Sequence, residues 1–190
     1  MKYRLALFAS GSGTNVENIF NYFKKKSSIK VETVVCNNKN AHVIERAKKL
    51  KISFKLIDTK LITNDELLFY LKANKIDYII LAGYLKLIPK EIIENYRNKI
   101  LNIHPALLPK FGGKGYFGNY VHQKVLDSNE LKSGITIHLV NEKYDEGKIL
   151  FQKEIEIHSK ETLESLSLRI HKLEYEFFPQ IIEKYILKQL

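Results

Sequence analysis

Cysteine is almost absent from the chain, with Cys36 standing alone. A single cysteine excludes an internal disulfide framework, a zinc ribbon and a zinc finger, and it suits a reducing cytoplasm. Long apolar runs are also missing. The longest, such as Tyr78–Gly83, are far too short to span a bilayer. Met1-Lys2-Tyr3-Arg4 leads into a short apolar run with no small-residue cleavage site, so no secretory signal is expected. Arginine is scarce. Of 31 basic residues only four are arginines (Arg4, Arg46, Arg97 and Arg169), against 21 acidic residues and a net charge of +10. Base readout and phosphate forks favour the planar arginine donors. A lysine excess spread along the chain therefore points to a solvated surface rather than a nucleic-acid groove. It also steers small anions.

What is present fits one domain of ordinary size: 190 residues, 45% hydrophobic and 27% charged, which excludes wholesale disorder. No internal repeat, low-complexity tract or interdomain linker stands out. Apolar runs rich in Val, Ile, Phe and Tyr alternate with stretches of helical period. Strands are expected at Tyr3–Ala9, Val31–Cys36, Ile52–Ile57, Ile76–Leu81 and Lys99–His104. Helices are expected at Thr14–Lys26, at Ala41–Lys51 with Val43, Ile44 and Ala47 on one face, through Leu67, Leu68 and Leu71, and after Pro89. This rhythm implies an α/β fold with a doubly wound, mostly parallel sheet. Ile135–Val140 and Ile149–Ile157 read as two further strands that bring an antiparallel edge. Lys160–Leu190 reads as a long C-terminal helix with Leu163, Leu166, Ile170, Leu173 and Phe177 at helical spacing, kinked or broken at Pro179.

Four segments could carry chemistry. Ser10-Gly11-Ser12-Gly13-Thr14-Asn15 lies between the first strand and the first helix. Its glycines permit a tight turn, and a helix N-terminus favours a phosphate. Thr14-Asn15-Val16-Glu17 matches a capping box. The segment is not a P-loop, and Val16 stands where a dinucleotide fingerprint has its third glycine. The bland alternative is a turn needed only for topology.

Asn102 and His104 end the fifth strand and, being two apart, share a face. Pro105 keeps His104 extended. An amide donor beside an imidazole at the carboxyl end of a parallel strand could stabilise an oxyanion and move a proton. The alternative is an ordinary polar strand end. In Ile135–Asp145, Thr136 and His138 share a face. An aspartate near His104 would raise its pKa and favour imidazolium, whereas Asp145-Glu146-Gly147 alone is an acidic turn. No ligand spacing supports a metal set of His104, His138 and Asp145. Finally, Ala106–Tyr120, with Gly112, Gly113, Gly115 and Gly118, is long for a structureless connection and reads as a lid or as surface slack.

Taken together, these segments resemble the phosphoribosylglycinamide formyltransferase family, the glycinamide ribonucleotide (GAR) transformylases of purine synthesis, from about Tyr3 to about Ile182. Leu101-Asn102-Ile103-His104-Pro105-Ala106-Leu107-Leu108-Pro109-Lys110 looks like the family's signature segment. Ser10–Asn15 looks like its phosphate loop, Leu81–Ile88 like its folate-lining segment, and His138–Asp145 like the stretch ending in the catalytic aspartate.

The resemblance implies a Rossmann-like formyltransferase domain over residues 1–190. Its N-terminal half would bind the phosphate of GAR, and its C-terminal half would bind folate and catalyse. The implied reaction is formyl transfer from 10-formyltetrahydrofolate to the amine of GAR, giving N-formyl-GAR and tetrahydrofolate, without a metal. Carried over by position, Asn102, His104 and Asp145 are catalytic and His138 supports them. Gly13, Thr14, Asn15 and Glu174 bind GAR. Leu85, Lys86, Leu87, Ile88 and Asn102 bind folate. For Glu174 the alternative is one solvated charge among many, and for Leu85 and Ile88 plain core packing.

Two departures stand out. Phe111–Tyr120 is longer and richer in glycine than the family's corresponding loop. A folate-binding arginine has no counterpart around Thr59–Glu66, where Lys60 is the nearest substitute. Methionyl-tRNA formyltransferases, formyltetrahydrofolate deformylases and sugar-nucleotide formyltransferases share the implied fold. The first two carry additional domains for which 190 residues leave no room, and the Ser-Gly-Ser-Gly-Thr-Asn loop argues for GAR. A non-catalytic nucleotide-binding module would not need the three catalytic residues together. The expected protein is a cytoplasmic enzyme, monomer or homodimer, acting on small molecules without nucleic-acid or membrane partners.

Overall fold

The computed structural model describes residues 2–59 and 61–190, so Lys60 lies outside the described residues. Its strands form one seven-stranded sheet in the order β3-β2-β1-β4-β5-β6-β7. The chain divides into two compact units, Met1–Leu101 and Asn102–Leu190.

The first unit alternates strand and helix. It contains β1 (Tyr3–Ala9), α1 (Thr14–Phe23), β2 (Ile29–Cys36), α2 (Val43–Leu50), β3 (Ser53–Leu56), α3 (Asn64–Ala73), β4 (Tyr78–Leu81) and α4 (Lys90–Asn95). β1 pairs in parallel with β2 and β4, and β2 with β3. Leu5 to Ala9 are fully buried, as expected of a central parallel strand covered on both faces. Val16, Ile19 and Phe23 form the buried stripe of α1, and Val43, Ile44 and Ala47 that of α2, as their spacing predicts.

Two readings change here. α1 is not capped by a Thr14–Glu17 box. Gly13 is its N-cap, left-handed at φ 75° with no side-chain bond, and Glu17 instead pairs with Arg46. The capping box sits on α3, where Thr63 and Glu66 each receive the other's backbone N–H. β3 is confined to Ser53–Leu56, and all four residues are exposed.

β5 (Ile100–His104) crosses into the second unit, followed by α5 (Asn119–Asp127), β6 (Lys132–Leu139), β7 (Ile149–Glu156) and α6 (Leu163–Ile186). β6 and β7 pair antiparallel. α5 was not expected. Its short stripe of Val121, His122 and Val125 lies within a stretch that reads as glycine-rich loop and charged surface. α6 begins at Thr162, whose Oγ1 accepts the Ser165 N–H. Pro179 does not break it. The helix is continuous over 24 residues. A proline costs a helix interior about 3 kcal/mol, and burial of Leu166, Ile170, Phe178, Ile181, Ile182 and Ile186 outweighs that. Among the described residues no helix is long and apolar enough to cross a membrane.

Candidate active site

Asn102, His104, His138 and Asp145 come together in the second unit. Alternation along β5 turns Asn102 and His104 to one side, and alternation along β6 does the same for Thr136 and His138. Thr136 anchors the segment after Pro105. Its hydroxyl donates to the Ala106 carbonyl at 2.7 Å and accepts from Leu108 N–H at 3.0 Å and Gln152 Nε2 at 2.9 Å. Asp145 sits in the turn after β6 at φ 57°, a left-handed conformation that a short polar side chain tolerates. Gly147 completes that turn. A Cβ there would lie 1.6 Å from the Leu139 carbonyl oxygen.

His138 Nδ1 lies 2.8 Å from the Leu139 carbonyl, which only accepts, so Nδ1 carries the proton. The opposite nitrogen, Nε2, then presents a lone pair to Asn102 Nδ2 at 3.0 Å. Asn102 Nδ2 also faces Asp145 Oδ1 at a weak 3.4 Å. The amide is thereby oriented, with one donor loosely held. His104 Nε2 donates to the Phe111 carbonyl at 2.7 Å, and its Nδ1 lies 3.6 Å from Asp145 Oδ2. Gly113 N–H donates to the same carboxylate oxygen at 2.9 Å. A cavity of about 490 Å³ opens beside Asp145, lined also by Leu108, Gly112, Tyr144 and Ile149.

The expected imidazolium at His104 is corrected. Burial pushes its pKa down, and the nearby Asp145 carboxylate and the Phe111 carbonyl recover only part of the loss, so the net direction is below the ordinary histidine value. Burial raises the Asp145 pKa, but the neighbouring imidazoles of His138 and His104 and the Gly113 N–H more than offset it, leaving the group below its usual range.

Glu174 is not a solvated charge. It is 5% exposed on the inner face of α6, and its Oε2 lies 2.8 Å from His171 Nδ1. That hydrogen bond raises the His171 pKa. Glu174 also acts electrostatically on His104 and on His122, a residue the sequence reading missed. His122 is 1% exposed, burial pushes its pKa down to about 4, and its Nδ1 has no hydrogen-bond partner. The signal for it was the Val121-His122-x-x-Val125 spacing, hidden behind the glycine-rich loop.

In the first unit, Gly13 is locked against α2, where a Cβ would lie 2.5 Å from Val43 Cγ2. Val43 N–H donates to the Gly11 carbonyl at 3.1 Å, and Arg46 Nε to the Ser12 carbonyl at 2.9 Å. Gly13 and Asn15 are buried and Thr14 half-buried at the start of α1. Within Leu85–Ile88, Leu85 and Leu87 are exposed and only Ile88 is core. Leu85 N–H donates to Ser10 Oγ at 3.0 Å, while the N–H groups of Lys86, Leu87 and Ile88 have no partner among the described residues. Lys86 is exposed between the two exposed leucines.

The formyl transferase family model matches residues 3–182. The phosphoribosylglycinamide formyltransferase of Bacillus subtilis is 37% identical over 187 residues, covering 95% of this chain and 93% of that protein. The chloroplastic phosphoribosylglycinamide formyltransferases of Vigna unguiculata and Arabidopsis thaliana are each 38% identical, but this chain spans only 60% and 64% of their length. Among solved structures, glycinamide ribonucleotide transformylase 1 from Geobacillus kaustophilus superposes with a TM-score of 0.88 at 36% identity, covering 96% of this chain and 97% of that one. The Bacillus halodurans phosphoribosylglycinamide formyltransferase gives 0.88 at 33%, covering 98% and 97%. On that match over nearly the whole chain and the scaffold it shares with those structures, the chain belongs to the formyl transferase family.

Proposed function

We propose that the protein transfers a formyl group from 10-formyltetrahydrofolate to the amine of GAR, giving N-formyl-GAR and tetrahydrofolate. The observation that carries this reading is the convergence of an oriented amide donor, a buried neutral imidazole and a carboxylate at Asn102, His104 and Asp145. Gly13, Thr14 and Asn15 hold the phosphate at the α1 N-terminus, and Glu174 meets the ribose or glycinamide part. The N–H groups of Lys86 to Ile88, beside the exposed Leu85 and Leu87, suit a flat heterocycle with polar edges, and we assign them to the pterin. The formyl donor brings a trigonal oxygen that becomes an oxyanion when the amine attacks. Asn102 releases its loose contact with Asp145 and donates to that oxygen. His104 turns its Nε2–H from the Phe111 carbonyl to the same oxygen. The new C–N bond leaves a proton on the attacking nitrogen. His104 takes it by way of water, becomes imidazolium against Asp145, and passes it to the leaving nitrogen as the old C–N bond breaks. His138 keeps Asn102 oriented throughout.

This chemistry needs no metal, nucleic acid or membrane, and it works for a monomer or a homodimer. A cytoplasmic setting fits Cys36, a buried thiol whose pKa burial raises. The test is purified protein with 10-formyltetrahydrofolate and GAR, following tetrahydrofolate release. Turnover is expected. No turnover with GAR, but turnover with water or an amino sugar nucleotide as acceptor, overturns the assignment.

A further inference from the structure

Ser10 has no chemistry of its own in this mechanism, yet it is 7% exposed and its polar groups tie two other strand ends to its own. It follows β1 directly and opens the Ser10–Asn15 loop. Its hydroxyl proton goes to Asn37 Oδ1, just after β2, at 2.6 Å. A hydroxyl has one proton and two lone pairs, so donation to Asn37 leaves Oγ free to accept, and it accepts Leu85 N–H at 3.0 Å. Its backbone N–H donates to the Gly83 carbonyl at 2.9 Å, and its carbonyl accepts from Asn38 Nδ2 at 3.3 Å. Leu85 is the one amide of the Leu85–Ile88 segment held by a side chain. The glycine loop is held on its other side by Val43 and Arg46.

We propose that Ser10 is a positioning residue that couples the phosphate loop to the Lys86–Ile88 edge, so that each substrate tightens binding of the other. The inference rests on the functional reading above. A phosphate that fixes Gly13–Asn15 also fixes the end of β1. Through Ser10 Oγ this fixes Leu85 and the three amides that follow it. Ordering the pterin edge acts back on the loop by the same route, since coupling between two sites is reciprocal. Asn37 sets the direction. Without its acceptor the Ser10 proton can rotate toward Leu85 N–H and break that contact.

Calorimetry on the full chain can read this as the ratio of the tetrahydrofolate dissociation constant without and with saturating GAR, a pair that cannot react. The unaltered protein is expected to give a ratio of roughly five or more, and the reverse titration the same ratio. Ser10→Ala and Asn37→Ala should bring it close to one, while Asn37→Asp, which keeps an acceptor oxygen, retains it. Lost packing alone would lower the melting temperature without moving the ratio. If Ser10→Ala does not fold, the Asn37 pair decides. A ratio near one in the unaltered protein, or an unchanged ratio in the alanine variants, overturns the inference while GAR turnover leaves the functional reading standing. Absence of GAR turnover removes both.

Discussion

His138 Nδ1 is bound to the carbonyl of Leu139, and this obliges Nε2 to accept from Asn102. In the proposed reaction His138 thus acts through Asn102, by setting which way its amide points. Asn102→Ala should lower kcat by about two orders of magnitude, the usual loss of an oxyanion donor. His138→Leu leaves the donor present but free to turn, so kcat should fall less, with both KM values nearly unchanged. Steady-state kinetics on both variants checks this. A His138→Leu effect confined to KM contradicts the assigned role.

His104 has to be neutral to take the proton, so kcat/KM should rise with pH through its pKa, below the ordinary histidine value, and be flat at neutral pH. Asp145 raises that pKa against the larger effect of burial. In Asp145→Asn the largest raising influence is gone, leaving only the Phe111 carbonyl and Glu174 against burial, and the acid limb should move to lower pH as the rate drops. A pH profile of kcat/KM tests both. A limb that moves to higher pH contradicts the electrostatics.

His122 predicts a pH dependence of stability. Its folded pKa of about 4 lies below the unfolded value near 6.5. Between those values the unfolded chain binds the extra proton, so stability falls as pH drops from about 6.5 and is complete above it, a range worth about 3 kcal/mol. Urea unfolding from pH 4 to pH 7 should show this slope. His122→Gln should flatten it, and an equal slope in that variant would assign the effect elsewhere.

Gly13→Ala must place a Cβ against Val43 at positive φ. It should destabilise the protein by about 2 kcal/mol and raise KM for GAR more than KM for the folate. Thermal denaturation and paired KM measurements separate the two effects. Equal rises in both KM values would argue against a phosphate role for the loop.

The apolar runs fix the strands because a parallel strand buried on both faces admits few polar residues. The Asn102–His104 side of β5 follows from alternation alone. Proximity across the chain is a different matter. Nothing local to Asp145 says that it meets Asn102 and Gly113, since that depends on the β6–β7 turn and on a glycine without a Cβ at 147. The sign of the His104 shift also escaped, because charge partners can be guessed from sequence whereas depth of burial cannot. α5 was hidden because its stripe is only three residues wide. Pro179 misled because its local cost is visible and the packing that offsets it is not.

β3 and β7 stand at the two ends of the sheet order. An open sheet displays unsatisfied N–H and C=O groups at such edges, the template on which a second chain can add a strand. β3 is four residues long with Lys55 inside it, and β7 carries Lys153, Glu154 and Glu156, with Glu154 paired to Lys132. A strand arriving at either edge would have to strip water from these charges. These edge charges thus have a colloidal consequence: they discourage the sheet from growing beyond its own seven strands.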